Sequence, residues 1–151
     1  MKSEDSSTSA IEFFAESAQW AEQRESELGR AAPNCPTASE LWRVVEIVKE
    51  VYANDQMGTA QINAYMVELE GISDKWLDPE GDPIGVRLHP VLEGLIGGLS
   101  QSLEAAVPGG AEMLRQKASL RAVKQAAQRT VYLRSLNPSW LSRIWTKLSS
   151  R

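Results

Sequence analysis

The chain has 151 residues, 42% of them hydrophobic and 24% charged, with 10 Gly, 7 Pro and a single cysteine, Cys35. These proportions exclude a collagen-like chain, a wholly disordered one and a disulfide framework, and they suit one ordinary domain or a small core with tails. The formal net charge of −4 hides two unlike parts: residues 1–110 hold seven Lys/Arg against nineteen Asp/Glu, a balance of −12, whereas residues 111–151 hold nine Lys/Arg against Glu112 alone, a balance of +8.

Residues 1–10 are Ser/Thr-rich and acidic, which reads as a flexible tail without the apolar core of a signal peptide. Helical periodicity then begins. Residues 12–29 place Ile11, Phe14, Ala18, Ala21 and Leu28 near one face, with Phe13 and Trp20 as an adjoining ridge. Gly29 and the segment Ala31-Ala-Pro-Asn-Cys-Pro36 end this helix. Thr37-Ala-Ser-Glu40 is a capping box, in which side chain and backbone at both positions satisfy each other, and it starts a second helix. Leu41, Val44, Val45, Val48, Val51 and Tyr52 form its apolar stripe, with Arg43, Glu46, Lys49 and Glu50 opposite. Residues 54–58 make a turn, Thr59 is placed to cap a third helix, and Ile62, Tyr65, Met66, Leu69 and Ile72 give that helix its face.

Residues 73–90, with three prolines and two glycines, read as an ordered loop or hinge. Val91, Leu92, Leu95, Ile96, Leu99 and Leu103 restore the helical stripe to about residue 106, and Pro108-Gly-Gly110 interrupts it again. Residues 111–136 are Ala- and Gln-rich, with high helix propensity and a thinner apolar face of Met113, Leu120, Val123, Ala127 and Val131. Asn137-Pro138 opens a short last helix to residue 149. No β alternation and no internal repeat is present. The expected fold is all-α, with five to six helices. It has a tail over 1–10, an acidic, antiparallel bundle-like helical body over 11–107 and a basic helical arm over 108–151.

The arm carries the most informative chemistry. Arg115, Lys117, Arg121, Lys124, Arg129 and Arg134 lie in one predicted helix with no acid after Glu112, so no carboxylate four residues away holds them. Lys117, Arg121 and Lys124 fall within about 60° of arc at 100° per residue. Such a row suits phosphates, each neutralised one releasing counterions, with Gln116, Ser119, Gln125 and Gln128 as hydrogen-bonding neighbours. The rival expectation is that the arm packs on acidic helices of its own or a neighbouring chain.

The last predicted helix puts Trp140, Leu141, Ile144, Trp145 and Leu148 on one face, edged by Arg143, Lys147 and Arg151. It reads as an anchor for a neighbouring subunit or partner groove, or as closure of the protein's own core; attachment to a membrane surface is a lesser alternative, because three cations are few for it.

Other signals are weaker. Helices two and three resemble a helix-turn-helix in spacing, but the second offers Gln61 and Asn63 beside Glu68 and Glu70 and no cation, so a plain helical hairpin is expected. Asp74, Asp78, Glu80 and Asp82 crowd one loop, yet an EF-hand fails: counting from Asp78 puts Pro83 at the required Gly and His89 at the bidentate Glu. A solvated turn with Trp76 as its anchor is the expectation. Gly94 and Gly98, flanked by Gly97, suggest close packing of another helix or local flexibility. Cys35 and His89 are one each, with nothing in the sequence to bring them together, and no Glu-x-x-His pair or Cys/His cluster offers a metal site.

The functional expectation is a non-enzymatic binding or assembly protein, without catalytic residues, metal or cofactor. Its cationic arm contacts RNA or DNA backbone, and its Trp-bearing last helix docks on a neighbouring subunit, in the manner of a nucleocapsid or coat protein. The alternative is an adaptor using that helix on a protein groove or membrane surface. The expected setting is the cytosol of a cell or of a virus's host.

Overall fold

The computed structural model describes residues 2–107 and 109–136, with side chains for 8–107, 109–110 and 112–135. It is all-α: α1 (Lys2–Leu28), α2 (Ala38–Ala53), α3 (Thr59–Ser73), a 3-10 turn (Pro79–Gly81), α4 (Pro83–Ala106) and α5 (Gly110–Leu136). The chain divides into two compact units, Met1–Leu114 and Arg115–Arg151. This boundary falls inside α5.

In the first unit α1 packs mainly on α2, and α3 on α4. Phe14, Ala18 and Ala21 of α1 meet Leu41, Val44, Val45, Ile47 and Val48 of α2, Tyr65, Met66, Leu69 and Ile72 of α3, and Ile84, Leu88, Leu92, Ile96, Leu99 and Leu103 of α4 in one core. Ser17 is buried among them and satisfies its hydroxyl by donating to the Phe13 carbonyl at 3.2 Å, one turn back.

Each helix end has a local cause. Gly29 takes φ +70°, and Arg30 N–H returns to the Glu25 carbonyl at 3.2 Å, closing α1 as a left-handed cap. The Thr37/Glu40 capping box of α2 is formed, and Glu25 of α1 adds an acceptor for Ala38 N–H at 2.9 Å. α3 starts from Gly58 with no side-chain cap, and Thr59 lies inside the helix rather than capping it.

Three sequence expectations are corrected. The helix predicted from residue 12 begins at Lys2; the segment holds no proline or glycine to stop a helix that runs back from the stripe. The predicted loop 73–90 shrinks, because α4 begins at Pro83. Proline at the first helical position lacks an N–H that would have been unpaired anyway, and Asp82 accepts from Ile84 N–H at 3.2 Å to cap the turn. Pro90 stands inside α4 on its exposed side, where solvent reaches the carbonyl left without a donor. Finally, Tyr52 and Val91, expected on core stripes, are exposed.

Trp76 is buried and donates from Nε1 to Asp82 Oδ2 at 2.8 Å, so it anchors the connection as expected. Its indole leaves no room opposite. A Cβ on Gly85 would lie 2.8 Å from Trp76 Nε1 and 2.7 Å from the Pro79 carbonyl. Gly85→Ala is therefore expected to destabilise the body by about 1–3 kcal/mol, the usual cost of overpacking. Urea unfolding measures it, with Gly94→Ala, which meets nothing within 4 Å, as the neighbour expected to be stabilised through helix propensity.

Candidate polyanion interface

The N-terminal helices assemble a polar knot out of residues far apart in sequence. Arg24 Nη1 donates to Asp82 Oδ1 at 2.5 Å, and Arg24 Nη2 donates to Cys35 Sγ at 3.3 Å. Asp82 thus serves α1, Trp76 and the start of α4 at once. Asp78 in turn caps the 3-10 turn, accepting from Gly81 N–H at 3.2 Å. The acidic loop is a pinned connection, not the solvated turn expected from composition. Among the described residues no group of three or more His, Cys, Asp or Glu is placed to hold a metal.

Cys35 directs its thiol to the Ala32 carbonyl at 3.5 Å. Burial pushes its pKa up, outweighing the pull of the Arg24 charge, which disfavours the thiolate. His89 lies edge-on to Trp76, ring centroids 5.7 Å apart.

Several other carboxylates of the body have partners within it. Arg43 Nε and Nη2 grip Glu68 at 2.6 and 3.1 Å, and Arg43 Nη1 reaches Glu46 at 3.1 Å. Tyr65 donates its hydroxyl to Glu50, Trp42 its indole N–H to Glu22, and Lys75 its ammonium to Glu40. Arg87 lies over the rings of Phe13 and Trp20, at 5.0 and 4.7 Å from their centroids, and 3.6 Å from Glu16. Glu46, Glu50 and Glu68, three of the four acids that an internally neutralised arm was expected to use beside Glu70, each have a partner within the body.

Glu40 also shows how pH enters. Burial pulls its carboxyl upward, but hydrogen bonds from Lys75 and Thr37 prevail and hold its pKa below the ordinary value. A depressed carboxyl adds stability above the unfolded pKa, about 4.3 for Glu, and loses it as pH falls through the folded value. Thermal melts from pH 6 to pH 3 should show this acid-side loss. In Glu40→Gln its share is absent, and the two curves approach each other at the acid end.

α5 carries the six cations singled out from sequence on one continuous helix. Arg115, Lys117, Lys124 and Arg134 are exposed, whereas Arg121 and Arg129 are half-buried. Helical geometry brings Lys117, Arg121 and Lys124 into a row about 10.5 Å long, which the exposed Gln128 continues. Arg115 falls on the opposite side, and Arg129 and Arg134 each lie about 110° from the centre of the row, one on either flank, so the six are not one patch. Gln125, half-buried like Arg121, lies beside the row; Gln116 and Ser119 are exposed elsewhere on the helix.

The apolar face expected on this segment is not a core face. Leu120, Val123 and Val131 are 71, 69 and 68% exposed, and Met113 is exposed with them, whereas Leu114 is buried. The periodicity is present, but a stripe does not say what covers it. The docking residues Trp140, Leu141, Arg143, Ile144, Trp145, Lys147 and Leu148 lie outside the described residues. No helix among the described residues is long and apolar enough to cross a membrane.

Comparison with protein-family models, with curated proteins and with solved structures finds no match.

Proposed function

We infer that this is a non-enzymatic helical binding and assembly protein whose α5 contacts the backbone of RNA or DNA. One observation supports the reading above others. Lys117 and Lys124 stand exposed on a helix whose sole acid is Glu112, while Glu46, Glu50 and Glu68 of the body have partners of their own. Lys117 and Lys124, exposed and with no acid after Glu112 on their own helix, keep their attraction for phosphate, and a row that they share with Arg121 follows a phosphate chain without reading its bases. Residues 140–148, by their sequence pattern, supply the anchor on a neighbouring subunit.

Fluorescence anisotropy with labelled oligonucleotides of unrelated sequence tests this at low ionic strength. Binding should be measurable and differ little between sequences of equal length. A strong preference for one sequence, or no binding at about 50 mM salt, contradicts it.

A further inference from the structure

Two exposed features, one on α4 and one on α5, lie outside the phosphate contacts and complement each other in shape, length and charge. On α4, Gly94, Gly97 and Gly98 are exposed, and a Cβ on any of them would meet nothing within 4 Å. None of the three takes a positive φ. Neither backbone conformation nor packing among the described residues asks for glycine there, although glycine inside a helix weakens it. With Ser102 and Ala105, also exposed, Gly94 and Gly98 make a lane of small side chains and bare backbone along one face, edged by Gln101, on which another helix can lie unusually close.

On α5, Met113, Leu120, Val123 and Val131 are exposed within about 80° of arc. Single exposed aliphatic residues are ordinary, but Leu120, Val123 and Val131, with the exposed Ala127 between them, form a continuous apolar strip, from which Gln116 parts Met113. The strip holds no aromatic ring on which a base would stack. From Leu120 to Val131 and from Gly94 to Ala105 there are eleven residue steps each, about 16.5 Å of helix.

Charge selects the occupant. The strip is bordered by the exposed Lys117 and Lys124, and the lane is bordered on its Gly97 side by the half-buried Glu93 and Glu104. Two α5 helices laid together would oppose six cations to six with one acid on each, so the strip favours an acidic surface. The body of this same chain, at −12 over residues 1–110, is such a surface.

We propose that the α5 strip of one copy seats in the α4 glycine lane of a second copy. The contact is heterologous: each copy offers a strip at one place and a lane at another, so successive copies close into a ring or extend as a filament. It uses the aliphatic strip and the lane rather than bound phosphate, and it stands or falls without nucleic acid.

Sedimentation velocity of the full chain over a concentration series, in nucleic-acid-free buffer, reads the association. Leu120→Gln/Val131→Gln spoils the strip at exposed positions and leaves the charge unchanged. Gly94→Leu/Gly98→Leu fills the lane where space is open. Circular dichroism reports that both remain helical, and the milder Gly94→Ala/Gly98→Ala pair gives a graded control. The wild-type chain should self-associate, and each severe variant alone should do so at least tenfold more weakly. Mixed in equal amounts, the strip variant still offers a lane and the lane variant a strip, so they should form a one-to-one dimer and stop. Wild-type chain that stays monomeric at every concentration overturns the proposal. So does a lane variant that associates like wild type, which would point to strip-on-strip pairing or another partner surface, or a mixture that yields no dimer.

Discussion

Asp82→Ala should lower the stability of the body by about 3–5 kcal/mol, the range seen when one partner of a buried ion pair is removed. Three losses coincide at this residue. The Arg24 guanidinium, only 24% exposed, loses its 2.5 Å partner, itself 12% exposed. The buried Trp76 loses the acceptor of its indole N–H, and α4 loses the cap on its first turn. Taken singly, an orphaned donor costs about 1–3 kcal/mol and a missing cap about 1. They share one carboxylate, so the sum does not apply in full. Against a typical domain stability of about 5–15 kcal/mol the loss is large. Asp82→Asn keeps a capping oxygen without the charge and should fall between wild type and Asp82→Ala. Asp78→Ala, which removes only the cap of the 3-10 turn, should cost about 1 kcal/mol. Urea unfolding of the three variants separates these values; equal midpoints for Asp78→Ala and Asp82→Ala would mean that the knot contributes little.

The second large effect concerns binding. Lys117→Gln/Arg121→Gln/Lys124→Gln should weaken polynucleotide binding by about 100-fold at moderate salt, taking about 1 kcal/mol for each phosphate that no longer has a cation beside it. Glutamine keeps helix propensity, so α5 should survive the change. Arg115→Gln/Arg129→Gln removes two cations that lie off the row and should cost no more than about tenfold, through the general field alone. If the two variants weaken binding alike, no row exists and the arm acts as a diffuse charge.

What sequence conveyed, and what it did not, follows from the range of the interactions. The start of α2 was legible because a capping box lies within four residues. The start of α4 was not, because Pro83 and Pro90 resemble breakers; their tolerance depends on Asp82 ahead of one and solvent beside the other. The first turns of α1 lack an apolar stripe, so periodicity does not mark them as helix. The knot of Arg24, Cys35, Trp76 and Asp82 could not be read at all, since its members lie up to 58 residues apart and only packing brings them together. At the candidate site the split of charge between body and arm was plain in the composition. The exposure of Met113, Leu120, Val123 and Val131 was not, because helical spacing marks an apolar face without naming its cover.

The central claim is that α5 binds a phosphate chain through a row of three cations, and the salt dependence of the binding constant tests it most directly. Measured between about 50 and 200 mM salt, log K should fall with log salt at a slope of about −2 on single strands and about −2.7 on duplex, from three phosphates neutralised. The triple glutamine variant should flatten that slope by nearly its whole value. A wild-type binding constant that does not change with salt, or a slope that the variant leaves intact, would contradict the account.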